Sequence, residues 1–275
     1  MSAAQPAPAA PVDEVRAAVL GWYREVARDL PWRRTTDPYA ILVSEVMLQQ
    51  TQVARVVPRF EAWLERWPDE VALAEAPVGD VLSEWVGLGY NRRALRLREA
   101  CGVVAVSGWP RDAAGLRALP GIGPYTAAAV ASFAFGEQVA AVDTNVARIA
   151  VRLGFSPEDL LPPDGAAEWN QAAMELGAMV CRARRALCGA CPASRVCPSA
   201  GRVEIPARRP AGAGRARERF EDSDRYARGR VVAAIAAGEE LPSGLGAERL
   251  ERALAGLERD GLIVRDPHGG ARFPD

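Results

Sequence analysis

The sequence contains no lysine: all 34 of its positive residues are arginine, set against 35 acids and a single histidine, His268. Without lysine no side-chain Schiff base can form and no P-loop lysine exists, and mechanisms that need two histidines are excluded as well. Serine–histidine–aspartate catalysis would depend on His268, which sits in the stretch Pro267-His268-Gly269-Gly270, a poor support for a triad. Long hydrophobic runs are also missing. The longest uncharged stretch, residues 118–136, is broken by Pro120, Gly121, Gly123 and Pro124, and the remaining 125–135 is too short to span a bilayer. The Ala- and Pro-rich start lacks the basic head and apolar centre of a signal peptide, so residues 1–12 are expected to form a disordered tail. The chain is expected in the cytoplasm, away from membranes.

What is present is an ordinary globular composition, 49% hydrophobic and 25% charged over 275 residues. At about 150 residues per domain, that length suggests two domains or one large one. The net charge of −1 gives no overall basic signature, but the arginines are unevenly placed. Between Cys181 and Cys197 lie Arg182, Arg184, Arg185 and Arg195 with no acid, and residues 202–219 carry six arginines against Glu204 and Glu218. Such clusters can hide a phosphate-binding face in a neutral average, although a solvated surface has the same charge pattern.

Apolar residues recur at three- and four-residue spacing almost throughout, beginning with Val15, Val19, Trp22, Val26 and Leu30. Asp37-Pro38 reads as an N-cap with proline at the first helical position, opening a helix that is expected to run through Ile41, Glu45, Leu48 and Gln52 towards Pro58. Helical patterns also cover 78–86, 92–106, 113–119, 125–135, 146–153 and 166–181. Residues 201–222, rich in Arg, Pro, Ala and Gly, read as a linker. Beyond it, 223–275 carries two short helical patterns and a small hairpin, an order that resembles a winged helix.

Four segments carry chemistry. Cys181-x6-Cys188-x2-Cys191-x5-Cys197 gathers four of the five cysteines in a chain with no secretory signal, so a disulfide framework is not expected. Four thiolates suit a structural zinc or a 4Fe–4S cluster, and the presence of only one C-x-x-C knuckle favours iron–sulfur. In Leu119-Pro120-Gly121-Ile122-Gly123-Pro124-Tyr125, two glycines allow a tight turn that points amides outward, and the following helix adds its dipole, so phosphate can bind without a positive side chain. Val142-Asp143-Thr144-Asn145 opens the next helix, where Asp143 could equally be only a cap. Ser44-Glu45-Val46-Met47-Leu48-Gln49-Gln50-Thr51 sets Glu45 among aliphatic residues, an environment that favours the protonated carboxyl a general acid needs.

Taken in order, a helix-hairpin-helix, an aspartate and this cysteine spacing resemble the base-excision DNA glycosylases of the endonuclease III superfamily, over about residues 13–200. Leu30-Pro31-Trp32-Arg33, the Ser44–Thr51 stretch, Gly87-Leu88-Gly89-Tyr90 and Asn170–Gly177 look more specifically like the A/G-specific adenine DNA glycosylases (MutY-type), which remove adenine misincorporated opposite 8-oxoguanine. The resemblance implies that Glu45 protonates the adenine and Asp143 stabilises the oxocarbenium-like sugar, with Tyr125 and Asn145 in support. It implies that Trp32, Arg33, Leu48 and Glu175 line the adenine pocket, that Gln49 and Tyr90 insert near the opposite base, and that Gly121 and Gly123 hold DNA phosphate. Cys181, Cys188, Cys191 and Cys197 would ligate a 4Fe–4S cluster.

The position of the lysine in bifunctional relatives is Tyr125 here, and the chain has no lysine anywhere, so a hydrolytic enzyme without lyase chemistry is expected. The expected fold is an all-α, bilobal body at 13–200, with 31–135 as the hairpin lobe and 13–30 with 136–200 as the iron–sulfur lobe. The substrate would be double-stranded DNA with A:8-oxoG or A:G mispairs, and the enzyme a monomer. The last fifty-odd residues are too few for the larger recognition domain of typical members. The short module, with Arg225, Arg228 and Arg230, is expected to add affinity more than base discrimination. Two alternatives stay open: a mismatch thymine or uracil glycosylase, and a non-enzymatic iron–sulfur DNA-binding protein.

Overall fold

Helices account for nearly all regular structure in the computed structural model, which describes residues 11–203, 219–266 and 270–274. Most of the expected tail and of the expected linker, and His268, lie outside the described residues, while Val12, the last residue assigned to the tail, opens the first helix. Helix α1 (Val12–Val26) buries Val15 and Val19 of the predicted stripe, but its third buried residue is Tyr23, while Trp22 is half-buried, Val26 is exposed and Leu30 lies beyond the helix end. Helix α2 (Pro38–Leu48) starts as its sequence dictates: the Asp37 carboxylate accepts the N–H groups of Tyr39 and Ala40, both at 3.1 Å.

The end of α2 departs from expectation. The helix stops at Leu48, Gln50 turns into the left-handed region at φ 56°, and a separate α3 (Val53–Arg66) carries Pro58 in its interior. Gln52 therefore does not share a helical face with Glu45. The apolar period runs across the break, and no glycine announces it, so the sequence pattern reads through.

There follow α4 (Glu70–Glu75), α5 (Val78–Glu84), α6 (Arg92–Ser107), α7 (Ala113–Arg117), α8 (Pro124–Phe135), α9 (Thr144–Leu153), α10 (Pro157–Leu160) and α11 (Ala166–Met179). After the cysteine loop come α12 (Asp224–Ala237), α13 (Ala247–Arg259) and an antiparallel pair, β1 (Val264–Arg265) with β2 (Ala271–Arg272). The helix–helix–hairpin order read from residues 223–275 is thus observed, and the fold class is all-α with that small hairpin as its sheet.

The chain divides into two compact units, Met1–Leu42 with Trp109–Ala118 and Ile122–Arg208, and Val43–Gly108 with Leu119–Gly121 and Arg209–Asp275. The expected hairpin lobe, 31–135, is shared between them, because α8 groups with the cysteine-bearing part. In the first unit, Val15, Val19 and Tyr23 of α1 pack with Val146, Ile149 and Leu153 of α9 and with Trp169, Ala173 and Leu176 of α11. In the second, Trp63 stands edge-on to both Trp67 and Trp85, at 4.6 and 5.4 Å between ring centroids. A further core joins Leu82 of α5 to Ala227, Val231 and Val232 of α12 and to Leu254 and Leu257 of α13. The C-terminal residues therefore share a hydrophobic core with the body.

Candidate active site

Burying a carboxyl is costly, and among the described residues two carboxylates are buried, Glu45 and Glu175. Both are positions that the sequence marked as functional. Glu45 is 6% exposed on α2, where residues 39–47 are buried without exception, so the carboxyl lies on a helix enclosed on all sides. Leu48 and Gln49 follow, both half-buried.

Asp143 is the N-cap of α9. Its Oδ1 accepts the amides of Asn145 and Val146 at 2.8 and 2.7 Å, and its Oδ2 accepts Asn145 Nδ2 at 2.7 Å. The plain capping role and a fixed, directed carboxylate are the same geometry. Arg148 extends it, donating to Asn145 Oδ1 at 2.8 Å, to the Gly177 carbonyl at 3.0 Å and to the Cys181 carbonyl at 2.9 Å. Gly177 permits this approach of α9 to α11: a Cβ there would lie 2.6 Å from Asn145 Cβ. Tyr125 is half-buried, and its hydroxyl donates to Met174 Sδ at 3.5 Å.

Glu175 accepts Arg28 Nε at 2.6 Å and Nη2 at 2.7 Å, together with Arg33 Nη2 at 2.9 Å. Burial pushes its pKa up, but hydrogen bonds from Arg28 and Arg33 and their charge outweigh that, leaving the carboxyl at about 2. The Arg33 guanidinium lies 5.5 Å from the ring centroid of Tyr23. Trp32 is buried in the short helical turn Pro31–Arg33. Arg28 was not singled out in the sequence, where one arginine among thirty-four gives no signal.

The hairpin turn uses its glycines differently. Gly121 has φ +75°, and a Cβ on it would come within 2.6 Å of Arg96 Cβ. Gly123 is the N-cap of α8, has open space where a Cβ would stand, and no side chain caps that helix. This leaves the start of α8 approachable by an anion.

Gln49 and Tyr90 belong to segments joined by Arg93, which the sequence did not mark. Its Nη1 donates to the carbonyls of Val46 and Gln49 at 2.5 and 2.9 Å, and its Nη2 to those of Leu88 and Gly89 at 3.1 and 2.9 Å. Burial lowers its pKa to about 10, Tyr90 opposing and Arg225 adding to the shift. Tyr90 is 44% exposed.

Cys181, Cys188, Cys191 and Cys197 line one opening to solvent, with Val180, Leu187 and Arg152. Burial pushes the Cys191 thiol up to about 11, a backbone hydrogen bond at Ala193 opposing and the three other cysteines adding. Arg152 Nη1 donates to Cys181 Sγ at 3.2 Å. Among the described residues, no three His, Cys, Asp or Glu side chains converge closely enough for one metal ion. A single zinc would hold its sulfurs about 3.8 Å apart, whereas an iron–sulfur cubane spaces its thiolates more widely around a larger volume. Four thiols facing one opening are the donor set that such a cluster takes. Arg182, Arg184, Arg185 and Arg195 are exposed on the same loop. No helix is long and apolar enough to cross a membrane among the described residues.

Residues 43–177 match the family described as HhH-GPD superfamily base excision DNA repair protein. The chain is 46% identical over 235 residues to an adenine DNA glycosylase of Mycolicibacterium smegmatis, covering 78% of each chain. It is 39% identical to one of Mycobacterium tuberculosis, over 93% of this chain and 92% of the relative. It is 43% identical to the human adenine DNA glycosylase, over 71% of this chain but 41% of that protein. Among solved structures it resembles a thermostable thymine-DNA glycosylase with a TM-score of 0.63 and 28% identity, covering 68% of this chain and 94% of that one. It also shares the fold of an endonuclease III trapped on DNA, with a TM-score of 0.58 and 23% identity, covering 68% of this chain and 96% of that one.

Proposed function

The chain belongs to the adenine DNA glycosylases of the HhH-GPD superfamily of base excision DNA repair proteins, and from that premise we propose that it excises adenine paired with 8-oxoguanine or guanine by a monofunctional, hydrolytic route. The observation that carries the hydrolytic part is the missing lysine: no side-chain amine exists to attack the sugar.

In this reading Glu45 is the general acid. The target adenine leaves the base stack, and Glu45 gives its proton to a ring nitrogen. The bond from the sugar to the base breaks with its electron pair going to the adenine, leaving an oxocarbenium-like sugar. Asp143, its direction set by two backbone amides and Asn145, offsets that positive charge until water adds and gives up a proton that restores the Glu45 carboxyl, and the products are free adenine and an abasic site. Tyr125 and Asn145 support the pair, while Trp32, Arg33, Leu48 and Glu175 shape the adenine pocket. With Glu175 held as an anion by Arg28 and Arg33, its part is to fix Arg33 rather than to donate a proton.

Cys181, Cys188, Cys191 and Cys197 would hold a 4Fe–4S cluster, which when bound supplies four iron–thiolate cross-links that fix the arginine-bearing loop. That loop, with the α8 N-terminus at Gly121 and Gly123, would grip the phosphates of double-stranded DNA. The enzyme acts as a monomer, with 13–200 as its glycosylase body.

The likeness to a thymine-DNA glycosylase makes mispaired thymine the competing substrate. Duplexes bearing A:8-oxoG, A:G, T:G and U:G, incubated with the protein and then treated with alkali, separate the readings. Strand breaks are expected in the first two, and only after alkali. Breaks in T:G or U:G alone would replace the adenine assignment, and breaks before alkali would remove the monofunctional one.

A further inference from the structure

Among the described residues, two that are not glycine adopt left-handed backbone, Gln50 at φ 56° and Tyr90 at φ 51°. Such strain persists only where the surroundings enforce it, and it gathers at working sites. Here both strained residues adjoin carbonyls held by Arg93, at Gln49 and Gly89.

Tyr90 has a second arginine against it, and this one comes from the C-terminal module. The Arg225 guanidinium carbon lies 4.3 Å from the Tyr90 ring centroid, and Arg225 Nη1 donates to the Tyr90 hydroxyl at 3.1 Å. Gly89 makes room for it: a Cβ there would meet Arg225 Nη2 at 3.3 Å, on a backbone at φ +72°. The carrier helix is itself fixed. Ala227, Val231 and Val232 of α12 pack with Leu82, Leu254 and Leu257. Asp260 accepts Arg228 of α12 and lies 3.7 Å from Arg92, two residues beyond Tyr90.

We propose that Arg225 is a positioning residue that sets the ring of Tyr90, so that the C-terminal module takes part in discriminating the base opposite the adenine. This rests on the adenine glycosylase reading above, in which Tyr90 inserts at that base. An exposed tyrosine on a glycine-rich loop would otherwise spread over several rotamers, and inserting it into DNA would carry that entropy cost. A guanidinium stacked on the ring and bonded to its hydroxyl selects one orientation beforehand. Guanine and 8-oxoguanine differ only at one edge, so a wedge held in register separates them better than a mobile one. The module thereby gains a part in specificity where its arginines alone suggested only affinity.

The test uses the full chain with Arg225→Ala, Arg225→Lys and Tyr90→Leu, reading single-turnover adenine release from A:8-oxoG and A:G. Arg225 is exposed, and thermal midpoints of the variants confirm that they fold. Both Arg225 variants are expected to lower the preference for A:8-oxoG by about five- to tenfold, since lysine keeps the charge but loses the planar stack. Tyr90→Leu combined with Arg225→Ala should be no worse than Tyr90→Leu alone, and the salt dependence of DNA binding should keep its slope. If Arg225→Lys retains the preference while Arg225→Ala flattens the salt slope by about one phosphate contact, Arg225 binds the backbone and the proposal is overturned. Additive losses in the double variant overturn it too. If wild type releases no adenine at all, the glycosylase reading fails by itself. A 2-aminopurine beside the mispair then decides the positioning role, through a smaller rise in fluorescence on binding Arg225→Ala (supporting) or an equal one (overturning).

Discussion

At Glu175, burial and two guanidinium groups pull the carboxyl in opposite directions, and the arginines win, holding it at about 2 against an ordinary 4.5. A pKa depressed on folding stabilises the protein fully above the unfolded value and loses that contribution as pH falls from 4.5 to about 2. About 3 kcal/mol of unfolding free energy is at stake across that window. Urea midpoints measured from pH 6 to pH 2.5 should fall for wild type and fall less steeply for Glu175→Gln. The two carboxylates proposed for catalysis predict a different outcome. Glu45→Gln cannot donate a proton and should remove nearly all adenine release at unchanged duplex affinity, and Asp143→Asn should lose most of it; single-turnover rates near wild type in either would withdraw the assignment. Glu45 and Asp143 could be singled out as candidates because their neighbours form distinctive strings. Arg28, Arg93 and Arg148 could not, since an arginine's partner is a matter of distance in space, and in a chain without lysine arginine serves every positive role.

The packing of α9 against α11 turns on one missing side chain. Gly177→Ala would drive a methyl group to 2.6 Å from Asn145 Cβ, and the residue displaced is the one that bonds Asp143 and Arg148. The expected result is a loss of single-turnover rate larger than the loss of stability, with substrate affinity little changed. Gly121→Ala fails for two reasons at once, a backbone at φ +75° and a contact at 2.6 Å with Arg96 Cβ. It should cost about 1–3 kcal/mol of stability by chemical denaturation and weaken duplex binding. Helix starts were readable, as at Asp37-Pro38, because a cap is a local arrangement of adjacent residues. The break at Gln50 was not, because the strain there is carried by contacts such as Arg93 with the Gln49 carbonyl.

For the whole molecule, the C-terminal residues behave as part of the body. Leu82 is fully buried in a core shared with Val231, Val232 and Leu257, and Phe273 lies against Gly79. Truncation after Asp222 would uncover Leu82 and its neighbours at about 1.5–3 kcal/mol per large apolar side chain, so the truncated chain should melt at a clearly lower temperature. A truncated protein with an unchanged melting midpoint would show the module to be separable. The cysteine loop predicts brown protein with four irons per chain. Metal analysis finding one zinc would cancel the cluster and leave the adenine chemistry intact. With four exposed arginines on that loop, duplex affinity should fall steeply with salt, and alanine at Arg182, Arg184, Arg185 and Arg195 should flatten the slope.

The amino-acid sequence by itself determined the helical class, the cap at Asp37, the hairpin glycines, the four-cysteine spacing and the exclusion of lysine chemistry. All of these depend on residue type or on neighbours a few positions apart. Tertiary structure alone decided which guanidinium serves which carboxylate or carbonyl, that α2 ends at Leu48, and that α12 lays Arg225 on Tyr90. Those are contacts between residues as far as 147 apart, as in Arg28 with Glu175. Their geometry comes from packing many side chains at once, which no local pattern encodes.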